Sequence, residues 1–243
     1  LVLYVPLLVM ALGSFLEPLS KTAGSSWTLR WYAEVFSDPV LLPALGRSFI
    51  VATSSASIAT VLGLIGALAL DKWLFGARRP LQILSLVSLM LPELVLALSL
   101  LSWFALLGLS LSLVTVVIAH VTLTLPFTIL VIGARLKVLD PAFDDAARDL
   151  GASEWEILTQ ITTPLVSPSV FTAFLLAFLL SFDDFLITFY TNGSSSDTLP
   201  VRLYSLMKTG LTPKVQALST LMLLGSTLLI VILTKVRGLK DLH

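Results

Sequence analysis

Cysteine is absent from the sequence, which excludes disulfides, thiolate metal sites and thiol catalysis. Charge is nearly as scarce: Asp, Glu, Lys and Arg make up 12% of the 243 residues and cancel to a formal net charge of zero, so no global field recommends nucleic acid as a partner. The sequence holds only 2 histidines and no HExxH pattern. It also lacks a GxxxxGK[ST] loop to hold phosphates, so nucleotide chemistry belongs to another chain and no cofactor is expected in this one. What remains is apolar. Hydrophobic residues are 56% of the chain and mean hydropathy is +0.97, far too high for a soluble domain of this length. The chain belongs among membrane lipids.

A helical span needs about 20 apolar residues. Six segments qualify or nearly do: Leu1 to Leu16, Arg47 to Leu70, Leu81 to Leu106, Leu111 to Gly133, Leu165 to Tyr190 and Lys214 to Val236. None alternates with the period of two that a barrel strand requires, so the expectation is an all-α polytopic protein of about six transmembrane helices, one domain over 1–243. The run at Leu1 begins without a Met or a basic flank and reads as truncated, by a missing cytoplasmic tail or a processed end. If the polar loop 140–164 is cytoplasmic, nine Lys and Arg lie inside (Lys72, Arg78, Arg79, Arg135, Lys137, Arg148, Lys235, Arg237, Lys240). Six lie outside (Lys21, Arg30, Arg47, Arg202, Lys208, Lys214), three of them in or beside the long outer loop 17–46, where charge influences topology less. Both termini then face the cytoplasm.

Within the outer loop, Trp27 to Phe36 reads as an interfacial helix, an anchor or a platform for a partner outside the membrane. Ser55, Ala59, Gly63 and Ala67 form a stripe of small residues suited to close packing inside the bundle. Pro92 and Glu93 fall about 18 Å into the third span at 1.5 Å per residue. A carboxyl group at that depth marks either a kinked polar spot on a translocation path or a hydrogen bond to a neighbouring helix. With no second His or carboxylate three or four residues on, His120 is not expected to bind a metal; it is expected to be a satisfied inner-face histidine rather than a substrate contact. Asp183 and Asp184 stand between Phe182 and Phe185 towards the outer end of the fifth span. Successive residues are 100° apart on a helix, so one acid enters the central cavity while the other caps, pairs with a cation or meets the interface. Carboxylates beside aromatic rings suit an organic cation.

The loop 140–164 carries the most specific pattern. Asp140-Pro141 starts a helix, with Asp144 and Asp145 at its positive end. Gly151 can turn left-handed to stop it. Ser153 and Glu156 can form a capping box for a second helix, which Pro164 ends. Phe143, Ala147 and Leu150 are expected on one face of the first helix, and Trp155, Leu158 and Thr162 on one face of the second. The spacing Asp145-Ala146-Ala147, Gly151, Ile161, then Thr163-Pro164 resembles the EAA loop of permease subunits of bacterial ABC importers. It departs from that pattern in having Asp145 for Glu and Thr163 for the Leu that usually precedes the Pro. The stretches FDDFLITFYTNG, TLPVRLYSLMKTGLTPKVQALST, LPE at Leu91 to Glu93 and HVTLTLPF at His120 to Phe127 are similar to those of the spermidine/putrescine-type importer permeases.

The resemblance implies a type I ABC importer permease fold in the bacterial inner membrane. It implies a second, related permease subunit as heterodimer partner, two ATPase subunits that hold ATP and Mg, a periplasmic or lipid-anchored substrate-binding protein, and a polyamine as cargo. It further implies that Asp145, Ala146, Ala147, Gly151, Ile161 and Pro164 form the ATPase-coupling element, and that Glu93, Asp183 and Asp184, with Phe182 and Phe185, line the cargo's path. The same class of importer for iron, sulfate or aminoethylphosphonate shares the fold and the loop. An ion-coupled secondary transporter would need an inverted repeat and a broken-helix pair, neither of which the sequence displays. For a membrane enzyme, the intramembrane acids, one adjacent pair plus Glu93, form no recognisable catalytic frame.

Overall fold

The computed structural model describes residues 2–17, 26–73, 78–194 and 196–238. Among these the secondary structure is helical, with one isolated antiparallel bridge between Leu16 and Trp27. A 3₁₀ turn (Val2–Tyr4) leads into α1 (Val5–Gly13), followed by α2 (Arg30–Phe36) and α3 (Leu41–Leu68), which runs on through a π-helical turn, Ala69–Trp73. Then come α4 (Arg78–Met90), α5 (Glu93–Leu106), α6 (Leu113–Leu136), α7 (Ala142–Asp149) and α8 (Glu154–Glu156). A second π-helical turn, Ile157–Thr162, joins α8 to α9 (Thr163–Phe182), and α10 (Leu186–Thr191), α11 (Leu199–Lys208) and α12 (Pro213–Gly238) complete the chain.

Among the described residues four helices are long and apolar enough to cross a bilayer, Leu41–Lys72, Leu113–Leu136, Glu154–Phe182 and Pro213–Ile232, and one bent pair could supply a fifth. This is fewer than the six spans expected. The first apolar run yields a helix of only 9 residues. The third is broken where Leu91 precedes Pro92: a residue before proline is driven out of the helical region, and the two halves, Ile83–Met90 and Glu93–Leu106, diverge by 103°. The structure therefore contains a broken-helix pair that the sequence reading did not find. The interfacial helix is present as α2, and VRLYSLMK lies within α11. Of the cations used for orientation, Lys21 and Lys240 lie outside the described residues.

The centre of the bundle is the triple contact of α3, α6 and α9. The small-residue stripe on α3 is buried along its whole length, Ser55, Ala59, Gly63 and Ala67 all facing inward. A β-carbon at Gly63 would collide with Thr128 of α6, whose hydroxyl donates to the Ala59 carbonyl at 2.8 Å. The stripe is thus internal packing, with the small side chains admitting close backbone approach and threonine supplying a cross-helix hydrogen bond. On α6 the matching buried face runs Val116, Ala119, His120, Thr124, Thr128 and Ile132. A second cluster, Val35, Leu41, Ala44, Leu199, Ala217 and Leu218, fastens α2, α11 and α12 to the start of α3. A third, Ala97, Leu100, Phe104, Ala119 and Ile187, joins α5, α6 and α10. Outward faces are apolar, as with Ile50, Val61, Ile65 and Leu228, the inverse of a soluble protein and the arrangement lipid requires.

Candidate transport pathway and coupling loop

The fifth span is not continuous to Tyr190. It stops at Phe182, passes through three non-helical residues and restarts at Leu186. That break decides where the paired acids go. The Asp184 carboxylate turns back onto the start of α10, where Oδ2 accepts the Thr188 N–H at 2.9 Å and the Thr188 hydroxyl at 3.0 Å, and Oδ1 faces the Ile187 N–H at 3.4 Å. Read as one helix, the chain would hold both acids near a negative helix end. With the break, Asp184 sits at the positive start of a new helix and satisfies its orphan N–H groups.

His120 closes the site from α6. It is fully buried, with Nδ1 2.6 Å from the Ser181 hydroxyl, Nε2 2.8 Å from the Thr188 hydroxyl and Nε2 3.1 Å from Asp184 Oδ2. The Ser55 hydroxyl of α3 donates to Ser181 at 2.9 Å. One set of donor directions satisfies every member: Ser55 to Ser181, Ser181 to His120 Nδ1, and His120 Nε2–H towards Thr188 and Asp184. His120 is the satisfied inner-face histidine expected, and its partner is a carboxylate 64 positions away, beyond the reach of any local pattern. Ser181 and Thr188 escaped sequence reasoning. Their signal was present, because Ser181, Asp184 and Thr188 recur at helical spacing.

Glu93 opens α5 at the break with α4, with its carboxyl group beside that of Asp184. It is exposed on this subunit, whereas the Asp184 side chain is only 1% exposed. Asp183 points the other way, accepting the Ser226 hydroxyl of α12 at 2.9 and 3.0 Å. The structure thus brings Glu93 and Asp184 together and separates Asp183 from both. The two phenylalanines do not flank the acids as a pair. Phe182 joins a ladder with Phe178 and Phe49, at centroid distances of 5.7 and 5.1 Å. Phe185 packs on Tyr204 at 4.6 Å and Phe189 at 5.3 Å.

At the other end of α9 lies the loop 140–164. Gly151 has φ +86°, the Gly151 N–H donates to the Arg148 carbonyl at 2.9 Å, and the Ala152 N–H to the Ala147 carbonyl at 3.0 Å. This is a Schellman stop for α7, with glycine at the left-handed position. Ser153 and Glu156 form the expected capping box: the Ser153 N–H donates to the Glu156 carboxylate at 2.8 Å and the Glu156 N–H to the Ser153 hydroxyl at 3.3 Å. Arg148 spans the elbow to Glu154 at 2.8 Å and also meets Asp145 at 3.1 Å. Lys72, on the π-helical end of α3, staples the loop to the bundle through Asp144 at 2.8 Å and Thr162 at 3.2 Å.

Three local expectations are corrected. Pro164 does not end the second helix, which continues into α9. Proline is tolerated at a helix's first turn, and the π-helical turn before it re-routes the bonding, with the Thr163 N–H and its hydroxyl, the latter at 2.7 Å, both reaching the Leu158 carbonyl. Trp155, Leu158 and Thr162 do not share a face: the wider turn buries Ile157 and Thr162, five apart, and leaves Trp155 exposed. Ala147 is buried while Phe143 and Leu150 are exposed, because Leu150 lies past the end of α7. Asp145, Ala146, Gly151 and Pro164 are exposed, and Ile161 is half-buried.

A family model described as "Binding-protein-dependent transport system inner membrane component" matches residues 59–237. The spermidine/putrescine transport system permease protein PotC of Haemophilus influenzae is 36% identical over 230 residues, 95% of this chain and 90% of that protein. PotC of Escherichia coli is 36% identical over 232 residues, covering 94% and 87%. The putrescine transport system permease protein PotI of Escherichia coli is 33% identical over 228 residues, covering 91% and 81%. Among solved structures, a bacterial ABC transporter involved in the import of the acidic polysaccharide alginate aligns with a TM-score of 0.72 at 14% identity, over 98% of this chain and 89% of that one. The inward-facing MetNI methionine ABC transporter aligns at 0.69 and 14%, over 82% and 97%. At such identities these structures speak for the fold, that of type I ABC importer permeases.

Proposed function

This chain belongs to the family of inner-membrane components of binding-protein-dependent transport systems, and on that premise we propose that it is a transmembrane subunit of an ATP-driven importer of spermidine and putrescine. The observation that carries the cargo class is the 36% identity to a spermidine/putrescine permease across 95% of the chain. The subunit forms half of the pathway with a second, related permease. Two ATPase subunits hold ATP and Mg and carry out hydrolysis, and a substrate-binding protein delivers polyamine from outside. The loop 140–164 is cytoplasmic.

Coupling runs through the elbow. Exposed Phe143, Leu150 and Trp155 beside Asp145, Ala146 and Gly151 offer an apolar and acidic surface for the ATPase. Movement of the ATPase pair is transmitted to α9, which continues from the elbow without interruption. On the membrane side a polyamine passes the exposed acids Glu93 and Asp183. Few acids suit this task, since tight binding would trap a multivalent cation.

The test is ATPase stimulation of the assembled complex in lipid discs, with binding protein loaded in turn with spermidine, putrescine, iron or aminoethylphosphonate. Stimulation by the polyamines alone is expected. Stimulation by iron or the phosphonate alone would keep the importer and remove the cargo.

A further inference from the structure

We propose that the end of the bundle next to the loop 140–164 holds a membrane phospholipid with a primary-ammonium headgroup. Its acyl chain lies in a cleft between α3, α4 and α6, its phosphate meets Lys137, and its ammonium is drawn towards Asp71 and Asp140. This is a lipid site, independent of which cargo the importer carries.

Two adjoining cavities define it. A cleft of about 380 Å³ runs between the end of α3, α4 and α6, within the size range of small-molecule sites. Its walls are mostly apolar, among them Ala67 of α3, Leu86 and Leu89 of α4, and Pro126 and Leu130 of α6. Leu86 and Leu130 are exposed, so the cleft opens where acyl chains run. The second cavity, about 630 Å³, lies between the ends of α3 and α6 and the loop 140–164, and Lys72, Asp140, Asp144 and Arg148 give it a polar lining. Asp71 and Lys137 line both. An apolar slot joined to a polar chamber through one acid and one base is complementary to an amphipathic molecule. A free ion would leave the slot unused, and a hydrocarbon would leave the polar groups unmet.

The charges select the headgroup. Lys72 is taken by Asp144 at 2.8 Å, and Arg148 by Glu154 at 2.8 Å and Asp145 at 3.1 Å. The Lys137 side chain, exposed at the C-terminal cap of α6, has neither hydrogen bond nor ion pair among the described residues. Beside it stand two acids, Asp71 on the π-helical turn after α3 and the exposed Asp140, which gives one carboxylate oxygen to the Ala142 N–H at 2.9 Å. A lone cation with two acids is the complement of a phosphate followed by an ammonium. Phosphatidylglycerol supplies the phosphate and no cation for the acids. Phosphatidylcholine supplies a cation without an N–H to donate, and phosphatidylethanolamine supplies both.

The slot itself adds little preference, because lipid tails are as apolar as leucine and a chain gains nothing by leaving the bilayer for it. Selection therefore lies in the polar chamber. A headgroup there touches Asp140, where the chain enters α7, and lies beside the Lys72 to Asp144 staple. It fills the space between bundle and elbow and braces one against the other.

The experiment places a diazirine crosslinker at Leu86 in the complete transporter complex, held in detergent micelles that carry a set mole fraction of phosphatidylethanolamine, phosphatidylcholine or phosphatidylglycerol with identical acyl chains. No cargo or nucleotide is added, so the result does not depend on the polyamine reading. Adducts are identified by mass spectrometry, and assembly of each variant is checked by co-purification of the partner subunits. The phosphatidylethanolamine adduct should exceed that of phosphatidylglycerol by about fivefold, the upper scale of one partly screened charge pair, with phosphatidylcholine between them. Lys137→Gln should lower all three adducts by about the same factor. Asp140→Asn should narrow the gap between phosphatidylethanolamine and phosphatidylglycerol, and Ala134→Phe, on an exposed residue lining the cleft, should lower all three by filling the slot. Equal adducts from the three lipids, or adducts that Lys137→Gln leaves unchanged, would overturn the proposal. A crosslink to the second permease subunit instead of lipid would assign the cleft to that subunit and overturn it as well.

Discussion

Gly151 offers the sharpest separation between backbone shape and surface chemistry in the loop 140–164. Its φ of +86° lies in the left-handed region, and a β-carbon built there meets nothing within 4 Å. Substitution therefore introduces no collision within this subunit, only conformational strain. For alanine that strain is about 1–2 kcal/mol, a shift of about 5–30-fold in the equilibrium between the observed elbow and alternatives that relax it. Asparagine tolerates the left-handed region better, and valine, with its branched β-carbon, worse. The expected order of coupled uptake is Gly, then Asn, then Ala, then Val. Assembly should change little, because α7 remains held by Lys72 to Asp144 at 2.8 Å and by Arg148 to Glu154 at 2.8 Å. The assay is uptake per ATP hydrolysed in proteoliposomes, together with the stimulation of hydrolysis by loaded binding protein. Wild-type coupling in Gly151→Ala and Gly151→Val would refute the argument. A series ordered by side-chain size, with Asn worse than Ala, would place the effect in contact with the ATPase rather than in the backbone.

Gly63→Ala should cost about 1–3 kcal/mol by overpacking, since the new β-carbon meets Thr128. A lowered melting temperature in detergent is expected, and an unchanged one would mean that α3 and α6 are further apart than described. Asp38 precedes α3 and lies outside the spans. Its carboxylate accepts the Lys214 ammonium at 2.6 Å and the N–H groups of Val40 and Leu41 at 2.8 and 3.2 Å. The Lys214 hydrogen bond first, and then these backbone donors, hold its pKa below the ordinary Asp value against a partial opposing effect of burial. A lowered folded-state pKa contributes stability that is full above the unfolded value, about 3.9, and is lost as pH falls through the folded one. Asp38→Asn should therefore destabilise by about 1 kcal/mol at pH 7, and the difference from wild type should vanish in acid. A difference that persists undiminished below the ordinary Asp range would contradict the assignment.

Period and punctuation made most of this fold legible. The apolar runs gave the spans, the Ser55 to Ala67 stripe gave the packed face of α3, and Asp140-Pro141, Gly151 and the Ser153 to Glu156 pair gave the elbow, because each is a local device whose physics is complete within a few residues. What escaped depends on partners distant in sequence or on departures from the ideal helix. The break after Phe182 follows from nothing local, since DDF carries no proline or glycine; it is stabilised by His120, 64 positions earlier. The π-helical turn at Ile157 to Thr162 shifts the register by one residue, so faces read with a period of 3.6 came out wrong at Trp155 and Thr162. Pro92 was recognised as a kink but not as a 103° break, because its effect depends on where α5 finds its packing, against α10.

The arrangement of ties along α9 constrains how a push at the elbow can travel. From Glu154 to Phe182 the helix is unbroken for 29 residues, about 43 Å at 1.5 Å per residue. It is held to α3 near both ends, by Ser181 to Ser55 at 2.9 Å near the outer end and by Thr162 to Lys72 at 3.2 Å near the inner end, while α6 packs on α3 along the small-residue stripe and on α9 beside it. A helix fastened at two points to a neighbour cannot tilt alone, so α3, α6 and α9 must move as one body. Deformation then concentrates where the helical hydrogen bonding is already interrupted, at Leu91-Pro92 between α4 and α5 and at Asp183 to Phe185 between α9 and α10. Glu93 adjoins the first of these breaks and Asp183 and Asp184 stand on the second, so the three acids are placed at the joints of the bundle, where a rigid-body movement of the packed helices changes their separation most.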